Sequence, residues 1–113
     1  MSHRLIVLLS LAAVAACGAD PQTRANRAIK SGDAFVAQHK LREASIEYRN
    51  ALQAQPQRAD VHFKLADVYL QSGDPARAYG EYARASDLDA SNVAAHLQAG
   101  MLLLQAGQFA DAQ

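Results

Sequence analysis

Glu43-Ala44-Ser45-Ile46-Glu47-Tyr48-Arg49-Asn50-Ala51-Leu52 returns further along the chain as Arg77-Ala78-Tyr79-Gly80-Glu81-Tyr82-Ala83-Arg84-Ala85-Ser86. Ala44 matches Ala78, Tyr48 matches Tyr82 and Ala51 matches Ala85, each at a step of 34 residues. The same step carries Ala78 to Ala112, His62 to His96, Gly73 to Gly107, and Gly32 through Ala66 to Gly100. A fixed period of this length is the signature of stacked supersecondary units, and it takes precedence over any other reading of the fold.

The periods between these landmarks are helical. Ala28, Ile29, Gly32, Phe35 and Val36 recur at three- and four-residue spacing and predict a helix over residues 25–38. His39-Lys40 breaks it, and a second helix is expected from Leu41 to Ala54, with Leu41, Ala44, Ile46, Tyr48, Ala51 and Leu52 facing inward. Pro56 separates it from a third helix over Arg58–Gln71. Ser72-Gly73-Asp74-Pro75 is the clearest turn: glycine for positive φ, aspartate to cap, proline for the first helical position. A fourth helix follows from Pro75 to Leu88 and a fifth from Val93 to Gln105. Ala106-Gly107-Gln108 predicts a second copy of the turn, with Phe109 opening a sixth helix.

Ahead of the repeats, His3 and Arg4 precede an apolar run from Leu5 to Ala16. The run is shorter than the roughly 20 residues needed to span a membrane, and it narrows to small residues, as a secretory signal does. Residues 1–16 are therefore expected to form a signal segment and residues 17–24 a short tether. Acidic and basic residues number 11 each. No basic field therefore points to nucleic acid. Cys17 is the only cysteine, which excludes an intramolecular disulfide and a cysteine-rich zinc site. Four histidines are present, but no H-E-x-x-H run, phosphate loop or nucleophilic triad accompanies them. The expectation is a protein without enzymatic activity, cofactor or metal.

The repeated residues resemble the tetratricopeptide repeat. Small residues fall at its eighth position on Gly32, Ala66 and Gly100, and large apolar ones at the eleventh on Phe35, Tyr69 and Leu103. Alanines fall at its twentieth position on Ala44, Ala78 and Ala112, and at its twenty-seventh on Ala51 and Ala85. Tyr48 and Tyr82 take the aromatic position between those alanines, and Pro56 the late proline. Ala28, His62 and His96 stand where the family prefers tryptophan, and His39 where glycine is common. The resemblance implies an all-α solenoid of antiparallel helix pairs, in repeats 25–58, 59–92 and an incomplete 93–113, preceded by the signal helix. The short stretches Ile46–Leu52 and Leu70–Pro75 also resemble repeat lipoproteins associated with exosortase-type sorting and exopolysaccharide loci.

Val14-Ala15-Ala16-Cys17 resembles a bacterial lipobox. That resemblance implies acylation at Cys17 and a lipid-anchored protein of the cell envelope. Gly18 in place of aspartate points to the outer membrane, facing the periplasm. An ordinary signal cleaved near Ala16, or a retained apolar helix, are the alternatives the residues leave open.

By the same family resemblance, the first helix of each pair lines a concave groove that binds a protein or peptide partner. In the first repeat its residues are Asn26, Ile29, Asp33, Val36 and Ala37. In the second they are Asp60, Phe63, Asp67, Leu70 and Gln71, and in the third Ala94, Leu97, Met101, Leu104 and Gln105. The lysine and asparagine with which some members hold a partner's terminal carboxylate are missing, so an extended or helical apolar segment is expected. These residues could instead pack against further repeats or a second copy. The chain is expected to be an incomplete piece of a longer protein and, on its own, to self-associate through the apolar stripe of its fifth helix. Two roles follow: an envelope-tethered interaction scaffold, or a structural assembly factor in sorting, secretion or exopolysaccharide export.

Overall fold

Asp20 opens the folded region: its carboxylate accepts the Thr23 amide at 2.7 Å, and Pro21 follows at the first helical position. That hydrogen bond holds the Asp20 carboxyl below the usual carboxylate range. The computed structural model describes residues 18–111; the expected signal segment and Cys17 lie outside them. Five helices follow in order: α1 Pro21–Ala37, α2 Leu41–Ala54, α3 Ala59–Gln71, α4 Pro75–Leu88 and α5 Val93–Asp111. The Asp20 cap with Pro21 at the first helical position, one of the readings the residues allow, starts α1 inside the expected tether of residues 17–24. Each helix packs on the next, and the short connections turn each back along its predecessor. Among the described residues the fold is an all-α helical repeat.

The two corners inside the helix pairs are built alike. At the end of α1, the Lys40 amide donates to the Phe35 carbonyl at 2.8 Å and the His39 amide to that of Val36 at 2.9 Å. At the end of α3, Asp74 donates to Tyr69 at 2.9 Å and Gly73 to Leu70 at 3.1 Å. Both are Schellman closures, which need one residue in the left-handed region. Gly73 sits there at φ 79°, and His39 at φ 57°. A side chain at such a φ is strained by about 1–2 kcal/mol. The family's usual glycine at His39 is therefore absent without loss of the corner.

The third corner differs from expectation. Instead of turning at Ala106-Gly107-Gln108, α5 runs through to Asp111. Gly73 is followed by Asp74, which accepts the Arg77 amide at 3.1 Å, and by Pro75, which starts α4. Gly107 is followed by Gln108 and Phe109. Neither an aspartate cap nor a proline is there, and a lone glycine costs a helix only about 1 kcal/mol.

The core lies where the helices come closest. One cluster joins Ala25, Ala44, Tyr48, Ala51, Val61, Leu65 and Val68, with Ile29, Phe35, Val36 and Leu41 packed against it. The second joins Ala66, Ala78, Tyr82 and Leu102, with Phe63 and Tyr69 at its margin. Ile46, expected to face inward, is exposed, since it lies off the row of Ala44, Tyr48 and Ala51 that meets the neighbouring helices. A Cβ placed on Gly32 would come within 2.5 Å of the Tyr48 ring, whereas one on Gly100 would meet nothing within 4 Å.

Those two glycines occupy the same repeat position, so they give a matched test. Gly32→Ala is expected to lower stability by about 1 kcal/mol or more, because overpacking outweighs the better helix propensity. Gly100→Ala is expected to raise it by up to about 1 kcal/mol. Denaturant midpoints of the two variants decide; shifts of the same sign would refute the assignment of the tight contact.

Candidate functional site

Tyr48 and Tyr82 each reach across their helix pair to an aspartate. The Tyr48 hydroxyl donates to Asp33 Oδ1 at 2.6 Å. The Tyr82 hydroxyl donates to Asp67 Oδ1 in the next repeat, and both pairs are separated by 15 residues. Burial of each phenol, reinforced by its aspartate, pushes both pKa values well above the ordinary 10.0. The aspartates sit one residue after Gly32 and Ala66, the small positions that let the rings in.

Asp33 takes a second bond, from Lys64 Nζ at 3.0 Å, which ties α1 to α3. Beside this bridge lies a cleft of about 340 Å³ between the two helices. Asp33, Val36 and Ala37 form one wall and Lys64, Asp67, Val68 and Gln71 the other, with Tyr48 beneath. The cleft is open to solvent and combines apolar walls with two carboxylates and one ammonium.

The expected groove residues are distributed as follows. Asp33, Val36, Ala37, Asp67 and Gln71 line the cleft. Ile29 packs on the first core cluster and Phe63 on the second, where its ring meets that of Tyr82 edge-on at 5.3 Å. Asn26 and Asp60 belong to a polar junction around Arg58. That guanidinium donates to both Asp60 oxygens at 2.9 and 2.8 Å, and to Asn26 and Gln55 at 3.1 and 2.9 Å. It holds the Asp60 carboxyl below its usual range. Leu70 is exposed, as are Leu97, Met101 and Leu104, which with Val93 and Leu103 form an apolar row on α5. Lys64, Tyr48 and Val68 line the cleft but were not among the expected residues. The repeated spacing from aspartate to tyrosine could have flagged Tyr48; nothing local distinguishes Lys64.

The histidines among the described residues do not form a centre. His62 is 9 % exposed, and its Nε2 faces the Pro56 carbonyl at 2.8 Å, which can only accept, so that nitrogen carries a proton. Its Nδ1 lies 2.6 Å from Glu81 Oε2. His62 therefore joins α3, α4 and the preceding connection, while His96, its repeat equivalent, is exposed. Among the described residues no group of three His, Cys, Asp or Glu is placed to hold a metal ion. None of the described helices is long and apolar enough to cross a membrane.

Two family models match the chain. One, described as a TPR repeat, covers residues 32–73; the other, described as a tetratricopeptide repeat, covers residues 64–113. Among solved structures, the crystal structure of MamA aligns with a TM-score of 0.72 at 20 % identity, over 78 % of this chain and 51 % of MamA. The first TPR of Spaghetti (RPAP3), bound to the HSP90 peptide SRMEEVD, aligns with a TM-score of 0.68 at 22 % identity. That match covers 72 % of this chain and 64 % of the other. The chain thus spans about half of one relative and under two thirds of the other. No curated protein matches it.

The two phenols generate an alkaline prediction. Their folded pKa values lie above 10.0, so the unfolded chain loses these protons first. The stability they contribute is complete below about pH 10 and declines as pH rises toward the folded values, by up to about 1.4 kcal/mol per pH unit for each phenol. Tyr48→Phe and Tyr82→Phe are each expected to remove one proton from that slope. Denaturant titrations at stepped alkaline pH measure it; an unchanged slope in both variants would contradict the buried phenol–carboxylate pairs.

Proposed function

We propose that this chain, a tetratricopeptide-repeat protein over residues 32–113, is a non-enzymatic interaction scaffold that docks a segment of a partner protein in the cleft between α1 and α3. The observation that carries the reading is the cleft itself. Its volume of about 340 Å³ is near the lower end of the roughly 300–1,000 Å³ typical of ligand pockets. It suits a few side chains of an extended or helical segment. The Spaghetti domain supports the analogy, since it is solved with a peptide bound. That peptide is acidic, and Asp33 and Asp67 at the cleft disfavour an acidic ligand here.

The lipobox-like Val14-Ala15-Ala16-Cys17 supports a refinement in which the scaffold is acylated at Cys17 and held at the outer membrane, facing the periplasm. Several acyl chains hold a protein firmly, each buried methylene contributing about 0.8 kcal/mol. The resemblance of Ile46–Leu52 to exosortase-associated lipoproteins supports a second role, an assembly factor that keeps sorting or export components in register. The exposed apolar row of α5 also supports association between copies, which sedimentation velocity over a range of concentrations reads directly.

Site-specific photo-crosslinking tests the docking surface. A crosslinking amino acid at Val36 or Gln71 is expected to capture a partner band in the producing cell, and one at exposed Gln53 is not. Equal capture at all three positions would place the interaction elsewhere. Metabolic labelling with an alkynyl fatty acid tests the anchor: wild type is expected to label and Cys17→Ser to lose the label. Equal labelling would remove the lipid from the proposal.

A further inference from the structure

The cleft carries an unbalanced charge. Lys64 neutralises Asp33 across it at 3.0 Å. Asp67 is one repeat further along and, among the described residues, its side chain accepts only the neutral hydroxyl of Tyr82. Among the described residues Asp67 has no ion-pair partner. It stands in the wall beside Val68 and Gln71 and opposite Val36 and Ala37. Its field is felt by Tyr48 beneath, whose phenol it helps keep protonated. A carboxylate with a fixed neutral donor on one side and an open apolar-walled space on the other can still accept a charged donor.

We infer that the docked segment brings a cationic side chain, arginine or lysine, to Asp67, with its flanking apolar side chains on Val36 and Ala37. The inference rests on the groove reading above and specifies its partner: a stretch of another protein in which one basic residue stands among apolar ones. The Tyr82 hydroxyl positions Asp67 without neutralising it, so the carboxylate meets the incoming charge already oriented. Lys64 sets the strength of the preference. It removes half of the negative charge in the cleft, and it occupies Asp33, so that one cation and not two is accommodated. Complementary charge of this kind steers encounter and rejects the wrong partner more than it adds raw affinity. The acidic segment bound by the Spaghetti domain is the kind of partner this cleft excludes.

The test uses three fluorescent ten-residue peptides of alternating serine and leucine, carrying a central arginine, citrulline or glutamate. Citrulline has the shape of arginine without its charge. Fluorescence anisotropy with the full chain in detergent is expected to show the arginine peptide binding roughly 10-fold more tightly than the citrulline one. The gap should narrow as salt rises from about 0.05 to about 0.5 M. Asp67→Asn keeps an oxygen for Tyr82 and is expected to abolish the gap, with an unchanged thermal melt. Lys64→Met, which leaves Asp67 intact, is expected to widen it. Equal binding of the arginine and citrulline peptides by wild type, preference for glutamate, or an undiminished gap in Asp67→Asn would overturn the inference. So would the failure of all three peptides to bind. In each of these cases the crosslinking at Val36 and Gln71 still decides independently whether the cleft docks a partner at all.

Discussion

A tyrosine ring lying on the backbone of the helix before it is the contact from which the architecture follows. Tyr48 fits because Gly32 has no side chain, and the whole ring is removed from water. Tyr82 repeats the arrangement on Ala66, which is fully buried. Burial of an aromatic side chain stabilises by about 1.5–3 kcal/mol, but the ring also carries a hydroxyl that must find a partner. Asp33 and Asp67, one residue after the small positions, receive those hydroxyls. The need to satisfy a buried phenol thus decides which residue stands at the mouth of the cleft. Packing and surface chemistry are set by the same pair of side chains.

Coupling between repeats is concentrated on α3. Its first turn is joined to α1 and to the end of α2 through Arg58, which reaches Asn26 and Gln55. One turn later His62 bridges the Pro56 carbonyl and Glu81. At the other side of the helix Lys64 spans to Asp33. In a linear array stability is the sum of units and of their nearest-neighbour interfaces. Here the interface combines an apolar centre, where Val61, Leu65 and Val68 meet Tyr48 and Ala51, with polar clasps at its edges. Loss of α3 would therefore disconnect the chain more completely than loss of any other helix.

The helix pairs were legible because the features that specify them are local. Pro75 and Asp74 start α4, Pro56 ends α2, and the 34-residue recurrence aligns Ala44 with Ala78. The end of α5 was not legible. The glycine at 107 matches Gly73, but turning also needs the cap and proline that follow Gly73 and are missing after Gly107. Ile46 was assigned inward from hydrophobicity, whereas the narrow contact face admits only the row of Ala44, Tyr48 and Ala51. At the site, the carboxylates could be placed from the repeat register. Lys64 could not, since its bond to Asp33 spans 31 residues and depends on how two helices lie side by side. His62 illustrates the same limit: its Pro56 and Glu81 partners follow from stacking and not from its own neighbourhood.

The interchangeability of the two Asp–Tyr pairs bears on how such a gene can change length. Asp33 lies 15 residues before Tyr48, and Asp67 the same distance before Tyr82. A deletion of 34 codons that begins anywhere between these first two residues would place Tyr82 at that distance from Asp33. The hybrid unit would hold a glycine opposite a tyrosine that normally faces Ala66, a looser but still permitted fit. A duplication of the same length would likewise create a complete new pair. Copying errors in multiples of the period are therefore absorbed without a new packing problem, while an error of any other length that falls between an aspartate and its tyrosine separates that ring from its acceptor. The chain's tolerance to insertion is set by codon arithmetic, and its capacity to lengthen or shorten a binding face follows from that arithmetic.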